Sequence, residues 1–304
     1  MSTATHSPAR TSPTVPGKPR MSAGRWFTEI GLKHLLAWVA IVYAGFPLVY
    51  VVSSSLNPSG SLTGSNEFFK VISFDNYVKL FNLPGRPYGA WYVNTLVIGL
   101  ITAVGTVLMG ALAAYAFSRM RFAGRRFGLM SLLLVQMFPQ LLAMVAIFLL
   151  LISLGDIFPF LGIGSPVALI MVYLGGALGV NTWLMYGFFN TVPRSLDESA
   201  RVDGAGHARI FFTIILRLVA PILAVVGLLS FIGTTNEFVL ASVILTSPES
   251  QTLPVGLYAM VSDETSTYWP VFSAGAVLAA IPVMVLFLYL QKYIVSGLTA
   301  GAVK

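Results

Sequence analysis

The stretch from Glu198 to Pro221 combines carboxylates, arginines and two close glycines with an apolar run, and it lies between two longer apolar stretches. A short helix is predicted over Leu196–Val202, because Asp197 and Glu198 would then lie in the first helical turn. The helix dipole favours carboxylates at that position. The charges of this stretch suit contact with a membrane surface or with a soluble partner.

Two glycines follow the short helix and predict a sharp bend. Gly204 and Gly206 permit a tight turn with the backbone at positive φ. A second helix is predicted from His207, and its apolar residues share one face: Ile210, Phe211, Ile214 and Ile215. Two interpretations are open. The second helix is an interfacial anchor for the next apolar span, or the bent pair is a lever gripped by a soluble partner.

Residue types needed for several kinds of catalysis are missing or scattered. The chain has no cysteine, which excludes disulfides, thiolate metal sites and cysteine nucleophiles. The three histidines, His6, His34 and His207, are far apart in the sequence and lie at or outside the predicted membrane edge, so no metal site is predicted. An intramembrane serine protease is disfavoured because no histidine lies at membrane depth to act as its base.

The nucleotide-binding P-loop is also missing. That motif requires GxxxxGK[ST], and the only Gly-Lys pair, Gly17-Lys18, is followed by Pro19. The chain is therefore predicted not to be an enzyme and to hold no cofactor. If ATP drives its function, a separate chain must hydrolyse it.

Composition places the chain in a membrane. Hydrophobic residues make up 56% of its 304 residues and charged residues 10%, with a mean hydropathy of +0.82, whereas soluble domains carry about 25% charged residues. Apolar stretches of roughly 18 residues or more recur, each long enough to cross a bilayer as a helix. We predict an all-α polytopic membrane protein with six transmembrane helices: Leu35–Leu56, Tyr92–Phe117, Phe127–Leu151, Pro166–Phe189, Leu218–Leu245 and Val271–Tyr293.

Basic residues are distributed unevenly between the two sides of these spans. The side that holds both termini carries 15 Lys and Arg, and the opposite side carries 3. Because an excess of positive charge marks cytoplasmic loops, both termini and the stretch from Glu198 to Pro221 are assigned to the cytoplasm. The net charge of +7 is accounted for in this way without nucleic acid.

The predicted spans divide the chain into five regions. These are a disordered cytoplasmic tail (1–24), a first transmembrane helix (25–56), an extracytoplasmic loop (57–91), a core (92–293) that includes the cytoplasmic loop 193–221, and a cytoplasmic C-terminal tail (294–304). Within the first extracytoplasmic loop, Ser73–Phe81 mixes apolar and polar residues as an interfacial helix would.

The predicted extracytoplasmic loop 246–270 is acidic. It contains Glu249, Asp263 and Glu264 and neither Lys nor Arg. A partly apolar, negatively charged loop of this kind is a candidate docking surface for an extracytoplasmic partner.

Polar residues in the predicted spans are candidates for a transport pathway. A carboxylate is costly in lipid, so Glu237 in span five should face protein or water. It either lines a pathway or serves as a structural carboxylate near the outer interface. Asn94 and Asn236 are further pathway candidates, with interhelical hydrogen bonding as the alternative.

The loop 193–221 resembles the EAA loop of ABC importer permeases. The resemblance rests on Glu198-Ser199-Ala200, Asp203-Gly204-Ala205, Ile214 and Pro221. Ser199 replaces the usual alanine. Arg217 stands where the family usually has a proline, which predicts that the second helix runs more smoothly into span five than the family pattern does.

Three further stretches resemble the maltose-type sugar permeases, G-type subunit: Ala114–Arg126, Asn236–Ser247 and Gly297–Lys304. The resemblance implies the fold of a type I ABC importer permease. It also implies a second permease subunit, a cytoplasmic ATPase dimer that holds ATP and Mg, and an extracytoplasmic sugar-binding protein. The location it implies is the cytoplasmic membrane of a bacterium or archaeon.

The resemblance also implies roles for named residues. The ATPase-coupling residues are Glu198, Ser199, Ala200, Asp203, Gly204, Ala205 and Gly206. A C-terminal ATPase contact is implied for Gly297, Leu298, Thr299, Ala300 and Gly301. The loop that meets the binding protein comprises Ser247, Pro248, Glu249, Ser250 and Gln251. Maltodextrin-like oligosaccharides are the implied substrate, with a polyol or glycerol-phosphate as the alternative.

Overall fold

The computed structural model describes residues 22–58, 67–262 and 268–300. Most of the predicted N-terminal tail lies outside these residues, as do Asp263, Glu264, Gly301 and Lys304. Every regular element in the described ranges is helical, which confirms the predicted all-α class.

Within the described ranges, three helices are long and apolar enough to cross a membrane without a break: Phe27–Ser55, Tyr88–Arg119 and Trp269–Tyr293. The first follows α1 (Ala23–Trp26), begins as a π-helical turn (Phe27–Gly31) and continues as α2 (Leu32–Ser55). The second is α4 (Tyr88–Arg119), and α3 (Asp75–Asn82) precedes it. The third lies within α15 (Trp269–Ala300), so the backbone of the predicted C-terminal tail is helical as far as Ala300.

Three further spans are bent pairs of helices. They are α5 (Arg125–Gln136) with α6 (Gln140–Ile157), α7 (Pro166–Gly175) with α8 (Val180–Thr191), and the segment His207–Leu218 with α12 (Ala220–Thr235). The bends are 96°, 53° and 80°. The described chain therefore has six spans when each bent pair counts as one, and we number them one to six in chain order. Pro139 and Pro221 predict a kink or a helix end in spans three and five, and both are confirmed, whereas the break in span four was not predicted.

A side chain from span three compensates the break in span four. The N–H of Val180, at the start of α8, donates to Oε1 of Gln136 at the end of α5 (2.5 Å). A Cβ added at Gly179 would overlap the Gln136 amide. The glycine therefore leaves the space through which Gln136 reaches the freed backbone group.

The bend before span five corrects the expectation based on Arg217. The segment His207–Leu218 consists of α10 (His207–Arg209), a π-helical turn (Ile210–Ile215) and α11 (Leu216–Leu218). The helix bends at Val219 (φ −96°, ψ 7°). Pro221 accounts for the bend, because proline lacks an N–H and its ring clashes with the carbonyl four residues earlier, at Arg217. A proline at position 217 is not needed.

Span five also ends earlier than the sequence predicted. α12 stops at Thr235, and a separate short helix, α13 (Val239–Ile244), follows after an interruption at residues 236–238. The interruption contains Asn236 and Glu237, which the sequence places within span five.

The segment 246–270, predicted to be extracytoplasmic, contains a buried helix that was not predicted. α14 (Leu253–Val261) buries Leu253, Leu257 and Met260 in a cluster with Trp91 of α4. Its residues are apolar on every side, which gives no helical periodicity to recognise. The predicted interfacial helix is present as α3, and its Leu80 is fully buried in the same cluster.

The chain divides into two compact units, Met1–Val49 and Tyr50–Lys304. Among the described residues of the second unit, three clusters of buried apolar residues form the core, and α4 contributes to all of them. Ala114 and Tyr115 belong to the cluster that contains the loop 193–221, Ile98 to the second and Trp91 to the third. α4 is therefore the central helix of the second unit.

We expect Gly256→Ala to lower the free energy of unfolding by about 1–3 kcal/mol, the usual cost of overpacking. A Cβ at Gly256 would overlap the indole ring of Trp91, which is 2% exposed and cannot move freely. Denaturant titration in detergent micelles measures the effect. Gly233→Ala in α12 is the matched control, because its Cβ meets nothing within 4 Å. Equal effects of the two substitutions would contradict the packing argument.

Candidate functional sites

The loop 193–221, which its basic charge assigns to the cytoplasm, forms a helix, a tight turn and a second helix, as predicted. Its first helix is α9 (Arg194–Val202). The turn is closed by hydrogen bonds from Gly204 N–H to the Arg201 carbonyl and from Ala205 N–H to the Ala200 carbonyl, both 2.9 Å. Gly204 has φ +79°. Gly206 has φ −74°, so the expectation of positive φ was wrong for that residue.

The predicted coupling residues divide into an exposed set and an inward set. Ala200 and Ala205 pack on the apolar cluster that includes Tyr115. The exposed set comprises Glu198, Ser199, Asp203, Gly204 and Gly206. Beside the exposed set, a polar cavity of about 520 Å³ opens between the end of α4 and α9. The loop thus presents a charged, concave surface while its inner side is fixed to the core.

A buried ion pair joins this loop to α4. The Nε of Arg119 lies 2.8 Å from Oδ2 of Asp197, and the two side chains are 2% and 6% exposed. Nη2 of Arg119 donates to the carbonyl of Val192 (2.8 Å) at the end of α8. The sequence places Arg119 in the loop between spans two and three; instead it is the last residue of α4, and its side chain is buried.

Two weaker contacts complete the attachment of the loop to α4. Nη2 of Arg194 donates to the carbonyl of Ser118 (3.3 Å). The hydroxyl of Tyr115 lies 3.4 Å from the carbonyl of His207, beyond the glycine turn. α4 therefore holds both arms of the loop through residues spaced i, i+3 and i+4, which lie on one face of a helix.

The first turns of α4 hold the segment Pro248–Leu253, part of the loop predicted to be extracytoplasmic, in a similar way. Nε1 of Trp91 donates to the Pro248 carbonyl (2.7 Å), and Nδ2 of Asn94 donates to the carbonyls of Glu249 (2.8 Å) and Gln251 (3.1 Å). Oγ1 of Thr95 accepts the N–H of Leu253 (2.7 Å). The three α4 residues again follow the spacing i, i+3, i+4.

These bonds use mainly the backbone of the segment. The side chains at its start stay exposed, while Thr252 and Leu253 at its end are buried. Ser247, Pro248 and Glu249 are exposed, and Ser250 is half-buried. Ser247 and Ser250 close a small turn through their hydroxyl groups (2.8 Å). The segment is thus a fixed surface whose outward side chains are free to meet a partner.

The three pathway candidates make hydrogen bonds in different parts of the structure. Asn94 belongs to the attachment just described. Asn236 donates to the Ile232 carbonyl of its own helix (2.9 Å). Glu237 accepts the N–H groups of Leu240 (2.9 Å) and Ala241 (3.0 Å) and the hydroxyl of Tyr173 (2.6 Å).

The carboxylate of Glu237 therefore has a structural task. It caps the first turn of α13 and ties it to α7 through Tyr173. This arrangement corresponds to the structural alternative considered from the sequence. A role of Glu237 or of the two asparagines in a pathway stays a prediction.

An apolar cavity of about 790 Å³ lies between α4, α12, α14 and α15. Its polar lining includes Thr95, Thr235 and Asn236. Each of these side chains donates to a backbone carbonyl of its own helix. The cavity consequently offers few groups for the hydrogen bonds that a sugar requires, although Asn236 borders it.

Residues 106–300 match the family described as binding-protein-dependent transport system inner membrane component. The chain belongs to this family. The galactooligosaccharides transport system permease protein of Bacillus subtilis is 45% identical over 271 residues, which cover 89% of this chain and 93% of that protein. The maltodextrin transport system permease protein of the same organism is 40% identical over 283 residues, covering 93% and 99%.

A solved structure also resembles this inner membrane component. It is a bacterial ABC transporter involved in the import of the acidic polysaccharide alginate, with a TM-score of 0.74 and 25% sequence identity. The match covers 91% of this chain and 99% of that chain. The predicted membership of the ABC importer permeases is therefore confirmed, and the chain is a membrane-spanning transport component.

We expect Arg119→Met to lower the free energy of unfolding by about 3–5 kcal/mol, because it leaves the buried carboxylate of Asp197 without its cation. The double variant Arg119→Met/Asp197→Leu should recover most of this loss, since it removes both charges. Denaturant titration in micelles compares the variants. Arg121→Met, at an exposed arginine two residues away, is the matched control and should have little effect. A double variant as unstable as the sum of its single changes would contradict the ion-pair argument.

Glu237→Gln should lower the free energy of unfolding by about 1–3 kcal/mol, because an amide group cannot accept all three hydrogen bonds. Tyr173→Phe should lower the free energy of unfolding by less. The two changes should be non-additive, since both remove the hydrogen bond between Tyr173 and Glu237. Glu249→Gln, at an exposed carboxylate, is the control. Sugar uptake by folded Glu237→Gln protein tests the other role, and wild-type uptake would rule out the pathway function.

Proposed function

We propose that this chain is a permease subunit of an ATP-driven importer for maltodextrin-like neutral oligosaccharides. The observation that carries the proposal is the similarity, over about nine-tenths of the chain, to permeases named for maltodextrin and galactooligosaccharides. The galactooligosaccharide protein has the higher identity of these two, 45% against 40%, so galactooligosaccharides are the second candidate substrate.

ATP and Mg belong, in this proposal, to a separate ATPase dimer in the cytoplasm. The exposed carboxylates of Glu198 and Asp203, the turn at Gly204 and the adjacent polar cavity support docking of a soluble partner there. The inner side of the loop is fixed to α4 and to the core. The end of α15 and Gly301 would supply a second contact with the ATPase.

Two further partners complete the proposed assembly in the cytoplasmic membrane. A sugar-binding protein would dock on Ser247, Pro248, Glu249, Ser250 and Gln251, whose backbone is held while the side chains of the first three project outward. A second permease subunit would form a heterodimer with this chain. The family description, which specifies dependence on a binding protein, supports the first of these partners.

Reconstituted with its second permease, ATPase and binding protein, the wild-type chain should support ATP-dependent uptake of labelled malto-oligosaccharides. Gly204→Ala should reduce uptake by roughly five- to thirtyfold, since holding alanine at φ +79° costs about 1–2 kcal/mol. Gly206→Ala is the matched control, because its φ of −74° suits alanine and its Cβ meets nothing within 4 Å.

Three outcomes would count against specific parts of the proposal. Uptake of galactooligosaccharides alone would replace the substrate. Uptake without ATP would overturn the importer class. Equal uptake by the two alanine variants would show that the turn geometry does not matter for coupling.

A further inference from the structure

α4 holds a functional loop at each end. Trp91, Asn94 and Thr95 hold the extracytoplasmic segment 248–253. At the other end, Arg119 and Tyr115 contact the cytoplasmic loop 193–221, and the carbonyl of Ser118 accepts a bond from it.

The distance between the two attachments matches the thickness of a membrane. Tyr115 follows Trp91 by 24 residues, a rise of about 36 Å at 1.5 Å per residue. The hydrocarbon core of a bilayer is about 30 Å thick. The two sets of hydrogen bonds therefore lie just beyond opposite sides of the hydrocarbon.

α4 is continuous between these attachments, while spans three, four and five are bent by 53° to 96°. A bent span can change its angle at the break, so a movement at one end need not reach the other. A continuous helix lacks such a break, and its two ends move together. The core also surrounds α4 closely, since a Cβ at Gly99 would lie 2.8 Å from Thr235 and one at Gly105 would lie 2.6 Å from Leu174.

We propose that α4 is the element that couples the cytoplasmic loop to the extracytoplasmic binding-protein loop. Trp91, Asn94 and Thr95 act as positioning residues at the outer end, and Arg119 with Tyr115 does so at the inner end. The inference rests on the proposed function, in which the two loops meet the binding protein and the ATPase. Occupancy of either loop then biases the position of α4 and through it the other loop, and this coupling is reciprocal.

The first test uses the complete transporter in lipid nanodiscs. The ratio of ATPase rates with and without saturating sugar-loaded binding protein is measured for wild type and for Trp91→Phe/Asn94→Ala. This double change removes three of the four outer hydrogen bonds and keeps an aromatic ring at position 91. We expect the ratio to fall about fivefold or more. A lower affinity for the binding protein with an unchanged ratio at saturation would overturn the inference, because the outer bonds would then only shape the docking surface.

A double-mutant cycle tests whether the two ends act together. Arg194→Met removes the bond to the Ser118 carbonyl at the inner end. If α4 carries the coupling, the inner and outer changes are non-additive in their effect on the ratio. Either change alone already removes the coupling, so the second change has little further effect. Additive effects would overturn the inference. Ser230→Ala is the control, since it removes a bond to Thr106 in the middle of α4 and touches neither loop.

Distance measurements test the rigidity of α4 directly. The chain has no cysteine, so spin labels can be placed on Gly89→Cys/Met120→Cys, about 46 Å apart along the helix. We expect the same narrow distance distribution with and without bound ATP. A distribution that shifts or broadens with nucleotide would show that α4 bends, and the inference would fail.

The wild-type measurements separate this inference from the proposed function. A wild-type chain that fails to assemble with an ATPase, or whose ATPase does not respond to a binding protein, would count against the proposed function itself. If the wild-type ATPase responds to the binding protein and the outer variant Trp91→Phe/Asn94→Ala responds equally, only the proposed coupling through α4 would be contradicted.

Discussion

The bilayer sets the constraint on which this structure depends, because every backbone polar group inside it must find a partner within the protein. An unbroken helix such as α4 satisfies this requirement by itself. A broken span exposes amide and carbonyl groups and needs side chains to satisfy them. Gln136 serves this purpose at the break of span four, and Glu237 serves it where span five gives way to α13. These two residues thus have structural tasks that their polarity alone does not indicate.

The burial of charge at the Arg119 end of α4 follows the same requirement for a partner. An arginine at the end of a span usually extends to the water phase, yet Arg119 turns inward to Asp197 and to the Val192 carbonyl. Burying two charges contributes little net stability, but removing one of them costs a great deal. The pair consequently fixes the position of α9 relative to α4 more strictly than apolar packing would. The exposed Glu198 beside it stays available to a partner.

Features that depend on composition and on neighbouring residues could be predicted from the sequence. Features that depend on contacts between residues far apart in the chain could not. Span two and span six are continuous apolar stretches, and their helices were located correctly within a few residues. The glycine turn at Gly204 was predicted because only a local conformational preference is involved. The break at Val180 was missed because its compensating partner, Gln136, lies 44 positions earlier in the chain. The burial of the Arg119 side chain was not predicted, because its partner Asp197 lies 78 positions later in the chain.

The contrast between bent and continuous spans bears on how such a protein can change shape. A cavity that opens alternately to two sides requires some helices to change their angles, and the breaks in spans three, four and five are places where the angle can change. The attachments at the two loops change less easily, because most of them lie in buried or half-buried surroundings on α4. The fold therefore combines spans that can bend with one central helix that keeps a constant length between the two membrane surfaces. With this combination, binding of a partner at one surface can change the position of the loop at the other surface through α4, while the spans around α4 change their angles.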